Sequence, residues 1–118
     1  MREPPAIESF GGGGFRVAGV WRPGSLLIVQ DSPRGWRPAM FADLQPADFA
    51  EVLAAPAGAV EFVLLGTGAQ QALPPRAVRE TLRGVGLGLE FMATDAAARL
   101  HNVLASQGRL FATALISV

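Results

Sequence analysis

The chain has 118 residues, half of them hydrophobic and 17% charged; ten arginines balance ten acidic residues, and there is no lysine. That is one domain's length with apolar content too high for disorder. Zero net charge weighs against a nucleic-acid or anionic-membrane partner held by bulk electrostatics. The lack of cysteine excludes disulfides, thiolate zinc and thiol catalysis, and the lack of lysine excludes Schiff-base and Walker-A chemistry.

Residues 1–14 read as a flexible leader, because Pro4 and Pro5 block helix and Gly11 to Gly14 form an unbroken glycine run. The leader holds no apolar run of signal-peptide length and contains Glu3 and Glu8, unlike a transit peptide. Residues 15–20 (FRVAGV) predict a strand, and Trp21, Arg22, Pro23 and Gly24 a turn. Residues 26–29 follow as a second strand, 31–35 as a turn and 36–41 as a third strand, which makes a β-meander. In residues 46–55 the period changes: Phe49, Val52 and Leu53 share one helical face, opened by Pro46.

The second half reads as α/β. Residues 60–65 (VEFVLL) predict a buried strand, broken by Gly66, Thr67 and Gly68. A helix follows to about residue 83, with Val78 and Leu82 inward and Arg76, Arg79, Glu80 and Arg83 outward. That arginine face is either solvated or a partner patch. Residues 87–92 predict the next strand, so the strand–helix–strand unit should be parallel and right-handed. Thr94 and Asp95 are expected to cap the last helix, whose inward stripe would be Ala96, Ala97, Leu100, Val103 and Leu104. Residues 110–118 predict a strand covered on both faces. The fold class is α/β: a single domain over residues 15–118, one mixed β-sheet with flanking helices, its N-terminal meander followed by α-β-α-β-α-β. The longest apolar stretch, near residues 62–65, is far too short to span a membrane, so a cytoplasmic protein is expected.

Two features could carry chemistry. Gly66, Thr67 and Gly68 follow a strand, with Glu90 on the next strand, a partial dinucleotide fingerprint. Gln71 occupies the third glycine position, and the helix begins too late to receive a pyrophosphate. The second feature is the start of the last helix. If the strands ending at Leu65 and Met92 are parallel neighbours, the Gly66–Gly68 loop and Thr94 face one crevice. Asp95, Arg99 and Asn102 complete this candidate anion site; the plainer alternative is a cap and an i,i+4 ion pair. His101 has no partner histidine or cysteine and is expected to be a hydrogen-bonded structural histidine. Glu61 and Glu90 lie on neighbouring predicted strands at an unset separation, and no serine sits in a G-x-S-x-G context. Trp21 and Trp36 could be core or interface anchors. No catalytic residue, cofactor or metal site is assigned.

The runs EFVLLGTGAQQALPP and VRETLRGVGLGLEFMATDAAARLHNVLASQGRLFATAL, with the earlier GGFRVAGVWRPGSLLI, resemble a family of small bacterial and archaeal proteins of unknown biochemical function. Its eukaryotic relative is a mitochondrial respiratory complex I assembly factor. The resemblance covers about residues 7–118. The family pattern falls on Gly66, Thr67, Gly68, Glu90, Met92, Thr94, Ala97, Arg99, Asn102, Gly108 and Arg109. Two positions depart from it: His101 replaces a usual tyrosine or phenylalanine, and Gln107 a usual glutamate. The resemblance implies a mixed sheet with flanking helices and a non-catalytic assembly role through protein contacts. Respiratory-complex subunits or other proteins would be its partners, reached at the inner membrane only through them. The alternative is a small anionic-ligand binder or enzyme using the Gly66–Gly68 and Thr94 crevice.

Overall fold

In the computed structural model, which describes residues 2–118, a five-stranded mixed sheet of order β5-β4-β8-β6-β7 forms the centre. Its strands are β4 (Ser25–Val29), β5 (Ser32–Trp36), β6 (Phe62–Gly66), β7 (Gly88–Met92) and β8 (Phe111–Leu115). β6 runs parallel to both β7 and β8, and β8 runs antiparallel to β4. The expected parallel pairing is present, with Phe62 beside Gly88 and Gly66 beside Met92. The 110–118 run is central as expected: Ala112, Thr113, Ala114 and Leu115 are all buried.

The N-terminal third differs from expectation. β1 (Ile7–Gly11), β2 (Gly14–Val17) and β3 (Val20–Pro23) form a separate three-stranded sheet, so there are two sheets instead of one. Ile7–Gly11 is thus a paired strand and not part of a flexible leader. Arg2, further upstream, is tied down by a two-pronged ion pair with Asp31 at 2.9 and 3.1 Å. The turns are tighter than the sequence suggests. Each hairpin closes on two residues: Gly12–13, Ala18 with Gly19, and Gln30 with Asp31, all with positive φ. Such turns match the twist of the flanking strands. Consequently the expected turns at residues 21–24 and 31–35 are mostly strand, and the third strand is Ser32–Trp36, not residues 36–41.

Two cores lie on the two faces of the large sheet. On one face, Val63, Leu65, Ala112 and Ala114 meet Phe49 and Val52 of the helical segment at residues 46–53 and Val78 and Leu82 of α2 (Arg76–Gly84). That segment is a 3-10 turn, Pro46–Phe49, running into α1 (Ala50–Leu53); Leu53 faces outward, against expectation. Trp36 is a core anchor here: its ring meets Phe49 edge-on and its Nε1 donates to the Asp48 carbonyl at 2.8 Å. Arg37 clamps the Asp48 carboxylate at 2.6 and 2.8 Å and holds its pKa below the usual range, helped by the Gln45 amide.

On the other face, Leu26, Ile28, Leu64 and Leu115 meet Phe15 and Val17 of the small sheet and α3 (Thr94–Ser106). α3 is rotated from its expected face. Thr94, Ala97, Ala98, His101 and Leu104 are buried, while Ala96 and Val103 are exposed. The rotation places a histidine in the core, which a hydrophobic stripe does not anticipate. α3 approaches the sheet closely because β6 ends in glycine. A Cβ on Gly66 would sit 2.9 Å from Thr94 Cα and 2.8 Å from Leu115 Cδ2.

Gly66→Ala is therefore expected to cost at least about 1–3 kcal/mol, since backbone of α3 must give way. Gly84→Ala, where an added methyl meets nothing within 4 Å, should stay within about 0.5 kcal/mol of the parent. Urea unfolding of the two variants gives the comparison; equal stabilities would show that the β6–α3 contact is slack.

Candidate functional site

The structure brings Gly66, Thr67, Gly68 and Thr94 together at the shared end of β6 and β7, as the parallel pairing requires. The crevice expected there is closed. The Thr67 amide donates to the Met92 carbonyl at 2.8 Å, and the Thr94 amide donates to the Gly68 carbonyl at 2.8 Å. Thr94 is wholly buried, and its hydroxyl accepts from the Gly68 amide at 2.9 Å while donating to the Ile116 carbonyl at 2.8 Å. The Ile116 amide in turn donates to the Gly66 carbonyl at 3.0 Å. Thr67 Oγ1 donates to the Gln70 carbonyl at 2.7 Å and receives the Ala72 amide at 3.2 Å. These groups satisfy one another, as buried polar groups must. None is left to face an anion.

The capping role expected of Thr94 is also corrected. Ala93 is the N-cap, and Thr94 is the first helical residue with its side chain turned into the sheet. Asp95 takes the Ala96 amide at 2.8 Å and lies 3.5 Å from Arg99, the i,i+4 pair of the plainer reading. Both side chains are more than half exposed. Arg99 also leans over the Phe10 ring, 5.4 Å from its centroid.

Asn102 does something that its sequence position did not reveal. Its Oδ1 accepts the Ile7 amide at 2.9 Å and its Nδ2 donates to the Ile7 carbonyl at 2.8 Å. The side-chain amide thus pairs with β1 as a neighbouring strand would, capping the edge of the small sheet. His101, the adjacent residue, holds the segment just upstream. Its Nε2 lies 2.8 Å from the Pro5 carbonyl and its Nδ1 lies 2.7 Å from Thr113 Oγ1. A carbonyl can only accept, so Nε2 carries the proton and Nδ1 accepts from the threonine hydroxyl. Burial pushes the His101 pKa down, against the Pro5 carbonyl and Asp31, which favour the proton. His101 is the expected structural histidine.

Elsewhere, Glu61 and Glu90 are exposed, and among the described residues no group of three acidic or histidine side chains could hold a metal ion. Trp21 is 43% exposed on β3, unlike Trp36. Arg109 lies over the Phe62 ring at 5.1 Å, and Gln107 is exposed beyond α3.

Two packed sheets with helices on both faces of the larger, closed at the strand ends by Thr94, define a single-domain α/β protein. The chain belongs to the family of proteins of unknown function DUF498/DUF598, whose pattern matches residues 7–116. It is 38% identical to an uncharacterised protein of Rhodobacter capsulatus over 110 residues, 93% of this chain and 82% of that one. A crystal structure described as an outer membrane protein from Bartonella henselae superposes with a TM-score of 0.88 at 31% identity, covering 98% of this chain and 96% of that one. A Bordetella pertussis protein described as an Mth938-like domain gives a TM-score of 0.77 at 25% identity, over 98% of this chain and 90% of that one.

The buried histidine makes stability depend on pH. Above the unfolded value of 6.5 His101 is neutral in both states and costs nothing. As pH falls through 6.5, the unfolded chain takes up a proton that the folded protein resists, so stability declines until the folded value is passed. Thermal unfolding from about pH 7.5 to about pH 5.5 should show this decline, and His101→Phe should flatten it. Equal slopes in both proteins would mean that His101 titrates freely in the fold.

Proposed function

We propose that the chain is a non-catalytic protein-interaction module that assists assembly of a multi-subunit complex, as the respiratory complex I assembly factor it resembles does. The observation that supports this reading is a groove on the α1–α2 side at which two aliphatic side chains stand exposed. Leu53 and Val85 stand 38% and 60% exposed at a cavity of about 550 Å³, with Val52, Val60 and Leu87 behind them. Aliphatic side chains exposed beside a groove are surface that a partner protein can cover. The polar groups at the strand ends, spent on one another, offer little to a reaction.

In this reading the protein works in the cytoplasm and meets the inner membrane through its partners. No helix among the described residues is long and apolar enough to cross a membrane.

Affinity capture of the native protein from its host, at native abundance, should enrich respiratory-complex subunits or membrane-insertion machinery. A Leu53→Asp, Val85→Asp variant should keep its thermal transition and lose most of the captured material. Recovery of no stable partner by the parent protein would overturn the reading.

A further inference from the structure

The four outer strand edges of the two sheets are not alike. β5 is interrupted by Pro33 and Gly35, β3 ends in Pro23, and β1 is capped at Ile7 by the Asn102 amide. Prolines, charges and covering side chains are the usual guards against stray pairing. β7, with the sequence GLEFM, has no proline and a single charge, Glu90, and among the described residues pairs only with β6.

The ladder shows which groups are free. The Gly88 amide donates to Glu61 O at 3.1 Å, and Met92 O accepts from the Thr67 amide at 2.8 Å. In a parallel strand a residue's N–H and C=O point to the same side, and successive residues alternate sides. Gly88, Glu90 and Met92 therefore face β6, and the N–H and C=O of Leu89 and Phe91 face outward. That is four adjacent main-chain groups presented to an added strand.

The flanks state what kind of strand fits. On the α2 face, Leu89 and Phe91 lie in a groove of about 290 Å³ with Arg79 and Arg83. Arg76 is paired with Glu80 at 2.7 Å, whereas Arg79 has no carboxylate partner among the described residues and donates from Nε to the Pro74 carbonyl at 3.1 Å. On the α3 face, Leu100, Leu104 and Phe62 line a smaller hollow of about 170 Å³ with Glu90 and Arg109. The α2 face is thus cationic beside apolar floor, and the α3 face is chiefly apolar. A second copy would suit this edge poorly. Antiparallel β7–β7 pairing centred on Glu90 would set glutamate against glutamate and bring both copies' Arg79 and Arg83 to one face, and like charges opposite one another destabilise a sheet.

We infer that the open edge of β7 receives an extended segment of a partner protein as a sixth strand, with acidic side chains on the α2 face alternating with apolar ones on the α3 face. This rests on the interaction reading above and names the surface and the partner chemistry. Main-chain bonds to Leu89 and Phe91 supply affinity, and Arg79 and Arg83 select the acidic pattern. The contact adjoins the Leu53–Val85 groove, and Leu87 lines both.

The test uses a capped peptide of about six residues, the length of an ordinary strand, alternating glutamate and valine, and its lysine-for-glutamate counterpart. Amide hydrogen exchange is read residue by residue in the full chain. In the free protein Leu89 and Phe91 should exchange fast while Glu90 is protected. The glutamate peptide should slow both, with binding weakened by salt, and the lysine peptide should not. Arg79→Glu, Arg83→Glu should weaken binding on the order of tenfold, since two exposed attractions become repulsions. Leu89→Pro, which removes an outward donor, should abolish it. The charge-reversal variant lies on the helix surface and keeps the test decisive if the proline variant does not fold. Unchanged exchange at Leu89 and Phe91, equal binding of the lysine peptide, or protection that rises with protein concentration alone would overturn the proposal. Native capture separates the two readings. If partners are retained by the charge-reversal variant and lost from the Leu53→Asp, Val85→Asp variant, the edge proposal fails and the interaction reading stands; loss of all partners from the parent protein removes the latter.

Discussion

Thr94 stands where β6, β8 and α3 converge, and its one hydroxyl serves both neighbours: it receives the Gly68 amide and donates to the Ile116 carbonyl. In the dry interior each of those main-chain groups would otherwise be unpaired, at a cost of about 1–3 kcal/mol apiece. Gly66 permits the approach, because any side chain there would strike α3. Once α3 is seated, its next turns reach across to the N-terminal segment through His101 and Asn102. The small sheet is thereby joined to the large one by polar contacts as well as by the Phe15–Leu26–Leu64 core. A site that looks in outline like a phosphate loop is a structural joint.

Much of the second half was legible because its elements are long and periodic. β6, α2, β7, α3 and β8 fall close to where the hydrophobic pattern puts them, and the parallel β6–β7 pairing follows from the strand–helix–strand order. The N-terminal third was harder to read because its turns carry weak signals. Ala18 and Gln30 adopt positive φ without being glycine, and no local pattern announces that. The glycine run suggested a loose leader, yet two of its residues turn a hairpin and Gly11 and Gly14 pair across it.

The candidate site divides along the same line. The gathering of Gly66, Gly68 and Thr94 was readable, since topology alone brings them together. Their use was not, because satisfaction of buried donors depends on Ile116, a partner supplied by β8's continuation and distant in sequence. Asn102 is the clearest case. As a residue type on a helix surface it reads as a ligand group, whereas its partner is a main-chain unit 95 residues away. His101 broke the apolar stripe and so concealed the rotation of α3, although its two hydrogen bonds let it act as core.

With the strand-end groups spent on one another, the proposed contacts rest on two other features, the exposed Leu53 and Val85 on the α1–α2 side and the outer edge of β7. The most direct measurement of this account is the stability and partner capture of Thr94→Val, which keeps the side chain's shape and deletes both of its hydrogen bonds. The account predicts a loss of about 2–4 kcal/mol with partner capture retained wherever the variant is folded. Near-parental stability with capture or ligand binding abolished would contradict it, and would return Thr94 to a functional site.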